Sequence, residues 1–512
     1  MLNKALQVAP GFLLALISLF AVAGSNHPHI DPGELTLLAL ALLTGFALVF
    51  SLAWGISRNF CDSAKVFTYM ALLWLLFIIV PLLSKHFWKV YFDAQVTGIL
   101  FVAFFGLLLL IRRSLPYPQE IQKIFFVFFL VTLSLQLPKI LKIWGGSGRL
   151  PLYNEVETAL AEKHVATLPH VVYIVPDRYA SDGVLRDLYG FDNSGFSDAL
   201  KARGFHVWDR QFANYPKTFQ SLAATLNMNY IEELAEQQSP EGTSYVPVYR
   251  LIEDNQALRV LQRNGYGYTH LGNWWEPTRI NPRADRQVTY ERGFPEFTAT
   301  YISVTPAAFL NTLTTGTRSI KDSCDLIRQQ AEAIVTQASQ SEKPLFFFWH
   351  LFSVHDPFLY DESGACRDYP EYGMKSPQDR ATHYLNQITH TNAMLLNLID
   401  RLQAASHREV IFLILSDEGP FPWEYLTDLN RYEFIAAPDE ELRRKFSIYS
   451  ALYLPSGNYG DFEKEKTSIN AFRLIFNEIF AVDLPLQAHA SYSFNRQTRP
   501  YDLIEITSRL HQ

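Results

Sequence analysis

Five apolar runs dominate the first third of the chain, at roughly 8–24, 34–55, 66–83, 94–111 and 124–141. Each holds about 17–22 residues with almost no charge, the length that crosses roughly 30 Å of hydrocarbon as a helix. Buried helices of a soluble core are a poor alternative, because short charged connectors separate the runs. The pattern predicts an N-terminal bundle of five transmembrane helices. From residue 169 the periodicity changes. Short β-rich apolar runs at Val171–Val175, Leu345–Phe352, Val410–Leu415 and Phe446–Leu454 alternate with helical periods. Leu385, Ile388, Leu395, Leu398, Ile399 and Leu402 recur at three- and four-residue steps, which predicts a helix over about 378–404. Continuous apolar strands joined by helices predict an α/β domain with a largely parallel sheet sandwiched by helices. The expected division is an anchor over 1–144, a linker over 145–168 containing Gly145-Gly146-Ser147-Gly148, and a second domain over 169–512.

Charge sharpens this division. Residues 1–150 carry 11 Lys+Arg and 5 Asp+Glu, whereas 151–512 carry 33 and 46, a net of −13. An acidic domain repels phosphate backbones, so nucleic acid is excluded as a partner. With the N-terminus in the cytoplasm, Lys4, Arg58, Lys65, Arg112, Arg113 and Lys123 fall inside and only Lys85 and Lys89 outside. This bias places residues 142–512 outside the cytoplasm. Ala21-Val22-Ala23-Gly24 resembles a signal-peptidase site, and cleavage there would leave everything downstream in place. Three cysteines, Cys61, Cys324 and Cys366, build neither a disulfide framework nor a zinc-thiolate cluster. Cys324 and Cys366 would share the oxidising side, where their pairing stays open.

In sheets of this kind, chemistry sits beyond the carboxyl ends of the strands. The first strand runs into Asp177 and the third into Ser416-Asp417-Glu418-Gly419. A single Asp there is commonly a turn or cap residue. Two adjacent carboxylates at a buried strand's end need a compensating cation or proton. The second strand leads into His355-Asp356-Pro357. Thr218 opens a helical stretch, Thr218-Phe219-Gln220-Ser221, and reads either as a capping residue or as a nucleophile where free amides favour phosphate. His383 and His390 lie seven apart on the predicted helix and read as a solvated face rather than a metal pair.

Taken in order, strand–acid, Thr-x-x-Ser helix start, His-x-Pro loop and strand–Ser-Asp-x-Gly resemble the alkaline-phosphatase/sulfatase superfamily. With five spans ahead, the whole chain is similar to lipoteichoic acid synthases and lipid A phosphoethanolamine transferases. The stretch Tyr189-Gly190-Phe191-Asp192-Asn193-Ser194 also resembles bacterial membrane sulfatase-like proteins. The resemblance implies Asp177, Asp417, Glu418 and Thr218 as ligands of one divalent metal, with Mn²⁺ or Mg²⁺ favoured over Ca²⁺ or Zn²⁺. It further implies Thr218 as nucleophile, and His355 and Ser221 as substrate-binding residues. Two departures stand out. The Cys/Ser-x-Pro-x-Arg motif of true sulfatases is absent, and Glu418 replaces the usual metal-binding His. The implied function is phosphoryl transfer from a lipid-borne donor to an envelope glycan or lipid acceptor, at the outer face of a bacterial inner membrane. An extracytoplasmic phosphatase, phosphodiesterase or sulfatase-like hydrolase, and an inactive envelope scaffold, are the alternatives.

Overall fold

The computed structural model describes residues 2–26, 30–88, 94–115, 119–145, 155–160, 167–238, 242–290, 294–308, 320–368, 376–427, 432–459 and 466–511. Most of the expected linker, residues 146–154 and 161–166, lies outside these. The chain forms two compact units, Met1–Ser147 with Arg292–Thr317, and Gly148–Glu291 with Arg318–Gln512.

The first unit is built on five apolar helices: α1 (Leu2–Asn26), α2 (Pro32–Ser57), α3 (Phe60–Trp88), α4 (Ala94–Leu110) and α5 (Gln119–Gly145). Four of them contain stretches long and apolar enough to cross a membrane, Gln7–Gly24, Pro32–Ser57, Phe60–Val80 and Lys123–Leu141. The apolar stretch of α4, Val96–Leu110, is shorter. α1 packs on α2, α3 and α5. Gly11 permits the α1–α3 approach, since a Cβ there would sit 2.3 Å from the Phe67 ring. Outward-facing residues such as Leu37, Leu110 and Leu135 are at least 70% exposed, an apolar surface suited to lipid. Hydroxyls on those exposed faces are satisfied within their own helices. Thr36, Thr44, Ser51, Thr132 and Ser134 each donate to the carbonyl four residues back, as hydrocarbon demands. The short helix Glu296–Ser303 belongs to this unit. Thr298 donates its amide and hydroxyl to Glu34 at 2.9 and 2.8 Å, and Tyr301 hydrogen-bonds Ser18 at 2.9 Å.

The second unit holds a seven-stranded sheet in the order β2-β7-β6-β1-β5-β3-β4. The strands are β1 (His170–Pro176), β2 (His206–Phe212), β3 (Gly267–Leu271), β4 (Arg286–Val288), β5 (Leu345–Leu351), β6 (Val410–Leu415) and β7 (Ser447–Tyr453). β6, β1, β5, β3 and β4 are mutually parallel, while β7 runs antiparallel to both β6 and β2. All seven residues of β1 are buried, as a central strand covered on both faces requires. Val171, Tyr173 and Val175 face one core, while Val172 and Ile174 face the other. The second core takes in the helices Ile320–Gln340 and Pro377–Ala405. A Cys324–Cys366 disulfide ties the first of these helices to the loop after β5. His383 and His390 are half-buried rather than solvated: Arg367 lies 2.8 Å from His383 Nδ1, and His390 stacks on Tyr360.

Candidate active site

The carboxyl ends of β1, β5 and β6 converge. Asp177 follows β1, Asp417 follows β6, and His350 is the penultimate residue of β5. One ligand atom from each lies within 4.8 Å of the others, and all three residues are buried. Among the described residues Asp177 Oδ1 and His350 Nε2 have no hydrogen-bond partner, and Asp417 has only the Thr218 hydroxyl beside it. Unpaired buried polar atoms are costly, so a group of them facing one another has the chemistry of a cation site. Burial first, then repulsion from Glu418, pushes the Asp177 carboxyl up to about 7, although Arg178 opposes it. Burial together with Asp177 and Glu418 pushes Asp417 up to about 8, with His350 and the Thr218 hydroxyl drawing it back.

A hydrogen-bond relay sets the histidine tautomer. Thr278 Oγ1 lies 2.9 Å from His350 Nδ1 and donates to Asn273 Oδ1 at 3.2 Å. The threonine's proton is thereby committed to Asn273, so Nδ1 carries the hydrogen of His350 and Nε2 presents its lone pair to the carboxylates. Asn273 is itself held by donating to the His350 carbonyl at 2.9 Å. Burial keeps the ring neutral, with its pKa lowered to about 4.

Glu418 is differently placed. Its Oε2 receives Lys445 at 2.9 Å and the Thr218 amide at 3.1 Å, and its Oε1 meets Arg178 Nε at 3.3 Å. Burial alone would raise its pKa, but Lys445, Arg178 and Lys217 outweigh it and hold the carboxyl below its usual range. Gly419 makes this contact with Lys445 possible. Its amide donates to the Lys445 carbonyl, and a Cβ would fall 2.1 Å from the Arg444 carbonyl. Arg178 adopts φ 65°, a left-handed conformation that costs a non-glycine residue about 1–2 kcal/mol. There its guanidinium spans Glu418 and Asp356 and stacks on Phe421 at 4.5 Å. Lys217 and Lys445 lie over the same ring at 4.4 and 3.4 Å.

Thr218 opens the helix Thr218–Asn227 and is half-buried, whereas every later residue of that helix is buried. Its hydroxyl is beside Asp417 and its amide is fixed by Glu418. Ser221 is buried and donates to the Tyr215 carbonyl at 3.0 Å. His355 is half-buried, stacked on Phe352, with Nδ1 against the Asp356 carbonyl. Desolvation, and then Arg178, hold its pKa well below the ordinary value.

The family model described as Sulfatase matches residues 169–476, three-fifths of the chain. The chain belongs to the sulfatase family. Similar solved structures include the C-terminal periplasmic domain of EcEptC from Escherichia coli, at 12% identity and TM-score 0.44, covering 67% of this chain and 94% of that one. Another is the integral membrane lipooligosaccharide phosphoethanolamine transferase A from Neisseria meningitidis, at 12% identity and TM-score 0.40, covering 93% and 95%. No curated protein matches the chain. Within this sulfatase-family domain the structure gathers Asp177, Asp417, Glu418 and Thr218, as sequence order suggested, and adds His350, Arg178 and Lys445, which sequence reading passed over. His350 had a signal: it is the one ionisable residue in the otherwise apolar strand Leu345–Leu351.

Proposed function

We propose that this chain is a membrane-anchored phosphoryl-group transferase with Thr218 as nucleophile. The observation that carries the reading is the half-buried Thr218 hydroxyl beside Asp417, at a helix start and at the edge of the unpartnered Asp177–His350–Asp417 group. Those four residues fit one divalent cation: Asp177, His350 and Asp417 are buried and convergent, and the Thr218 hydroxyl stands beside Asp417. Three oxygens and one imidazole nitrogen suit Mn²⁺ or Zn²⁺ better than an all-oxygen set would, and leave Mg²⁺ less favoured. A cation there supplies charge for the threonine alkoxide and polarises a phosphoryl oxygen.

The protein's own groups supply the rest. In the first turn of the helix Thr218–Asn227 the Thr218 amide is held by Glu418 and those of Gln220 and Ser221 by the Lys217 carbonyl, which leaves the Phe219 amide for an incoming phosphoryl group. The Thr218 Oγ–P bond forms as the bond to the donor alcohol breaks, and an acceptor alcohol then releases Thr218. Glu418, held by Lys445 and Arg178, fixes the Thr218 amide and thus the start of the helix. His355, with Nδ1 turned to a carbonyl, offers Nε2 to the substrate. The five apolar helices are read as five spans, with the second unit extracytoplasmic, which confines enzyme and lipid-borne donor to one surface. An envelope glycan or lipid is the acceptor. The absent Cys/Ser-x-Pro-x-Arg motif argues against sulfate-ester hydrolysis.

Thr218→Ala should abolish turnover of a phospholipid donor while the protein still inserts and folds, since Lys217 rather than Thr218 is the N-cap of this helix and no capping bond is lost. A phosphorylated Thr218 peptide trapped without acceptor is the positive result. Unchanged turnover in the variant would overturn the mechanism, and product release independent of any acceptor would make the enzyme a hydrolase.

A further inference from the structure

A cavity of about 220 Å³ lies in the second unit, lined by Tyr189, Arg380, Tyr384, Phe421, Trp423 and Arg444 among others, with no carboxylate in its wall. Two guanidinium groups in a wall without acids make an anion-selective surface, and Arg forks match phosphate oxygens. Arg380 is locked in place, its two terminal nitrogens on the two Asp356 oxygens at 2.8 and 2.6 Å. Arg444 is less committed. Its Nε is buried without a hydrogen-bond partner, and its guanidinium lies 5.9 Å from the Tyr189 ring centre. Its one ion pair, to the exposed Glu440, is 3.4 Å long. Trp423 is half-buried, and its indole N–H has no partner among the described residues. The wall therefore combines cations, an uncommitted donor and flat aromatic faces.

The cavity is also wired to the Thr218 site. Phe421 belongs to its wall and carries Arg178, Lys217 and Lys445 on its ring. Arg380 grips Asp356, which in turn grips Arg178 at 3.0 Å. A pocket that encloses a whole small-molecule ligand measures about 300–1,000 Å³. One of about 220 Å³ takes a head group and leaves the remainder of its molecule outside.

We infer that this cavity is a subsite for a phosphate-bearing head group, bound by Arg444 and Arg380 with its carbon skeleton against Trp423. It rests on the phosphoryl-transfer reading for its role, seating the head group of a reactant one aromatic ring away from Thr218. The phosphate belongs to a phosphorylated sugar or to a lipid head group.

The test is calorimetric titration of glucose 1-phosphate into the full-length protein in nanodiscs, after EDTA treatment and in the Thr218→Ala background. Turnover plays no part in this readout, so a failure of the threonine mechanism leaves the titration intact, and the reverse. Glucose 1-phosphate should bind, and Arg444→Gln should weaken it about tenfold or more, the loss of one charge-assisted contact. Trp423→Ala should weaken it as well and leave inorganic phosphate less affected. Arg444→Lys, which keeps the charge but not the fork, serves if the Gln variant is poorly folded, and should also bind more weakly. Nanodiscs containing phosphatidylglycerol should compete with the sugar phosphate if the natural head group is lipid-borne, and phosphatidylcholine nanodiscs should leave its affinity unchanged. Competition identifies a lipid source, and binding without competition identifies a soluble or glycan-borne one. No binding to the wild type, or equal affinity in the wild type and in folded Arg444 and Trp423 variants, would overturn the inference.

Discussion

Asp417 and Glu418 are neighbours in sequence, equally buried, and treated in opposite ways by the fold. Among the described residues Asp417 has no cation and only the Thr218 hydroxyl beside it, and Asp177 and His350 next to it also carry unpaired atoms. Glu418 is surrounded by Lys445, Arg178 and the Thr218 amide. The contrast separates a group built to receive something from one built to hold its surroundings. Unpaired buried carboxylates are costly and fit a place for a cation, whereas the Glu418 charge is neutralised by the protein itself. Glu418, where the resemblance implies a metal-binding histidine, faces cations, and His350 from β5 faces the acids.

Two substitutions should split the pair. Lys445→Met leaves the Glu418 charge with Arg178 and the less direct Lys217, and breaking a buried pair of this kind costs about 3 kcal/mol or more. Thermal or denaturant unfolding of the metal-free protein should show that loss. Asp417→Asn should do the reverse, raising the stability of the metal-free protein by relieving repulsion with Asp177 while removing tight metal binding. Destabilisation by both variants alike would break the distinction between the two carboxylates. Glu418→Gln sharpens it further, since retention of metal in that variant would place Glu418 outside the coordination sphere.

A smaller effect should come from Thr278, which touches no reacting group. Thr278→Val keeps the shape but frees His350 Nδ1 from its acceptor, so the lone pair can move away from the carboxylates. Loss of such a partner typically weakens metal binding about 10–100-fold. Imidazole nitrogen NMR shifts of His350 in the metal-free protein should report a mixture of tautomers, a signature that mere loosening of the fold would not produce. Thr278→Ser should restore the wild-type pattern. Unaltered nitrogen shifts in the valine variant would remove Thr278 from this role.

Much of this was legible in the sequence, for physical reasons that also explain the gaps. β1, β5, β6 and β7 are apolar runs because both faces are covered, and they stand out from their surroundings. β2 carries Asp209 and Arg210 on exposed positions, and β4 is the three-residue edge Arg286–Val288, so neither shows a strand's hydrophobic signature. Lys445 lies in Asp439–Phe446, an acidic-then-basic helix that reads as surface until Gly419 is packed against it. The helix Glu296–Ser303 is too short and mixed to announce that it belongs with the apolar helices. His355 stands in a loop two residues before Pro357, where sequence pattern marks it, whereas His350 sits inside a strand. Asp177, Thr218 and Asp417 were readable because strand ends and helix starts are where local pattern and chemistry coincide.

The weakest expected effect is a pH dependence confined to the metal-free state. Asp177 and Asp417 are raised to about 7 and about 8, while an unfolded Asp titrates near 3.9. Between those values the folded chain holds protons that the unfolded chain has released, so stability falls as pH rises through the folded pKa values. Below pH about 6.5 the buried histidines His170, His270, His350 and His489, each lowered to about 4, give the opposite slope. Lys445, lowered to about 8, opposes it again above that pH. Lys217, which burial holds well below its ordinary value, opposes the aspartates too, so the window from about 6.5 to 8 is read by the difference between the wild type and Asp417→Asn. EDTA-treated protein should lose stability there by about 1 kcal/mol per pH unit relative to Asp417→Asn, read by tryptophan fluorescence during denaturant unfolding. With Mn²⁺ bound the carboxylates are ionised throughout and their contribution to the slope should vanish, and Asp417→Asn should remove most of it without metal. Equal profiles in the EDTA-treated wild type and Asp417→Asn would show that Asp417 is already compensated within the protein, and the contrast between Asp417 and Glu418 would fall with it.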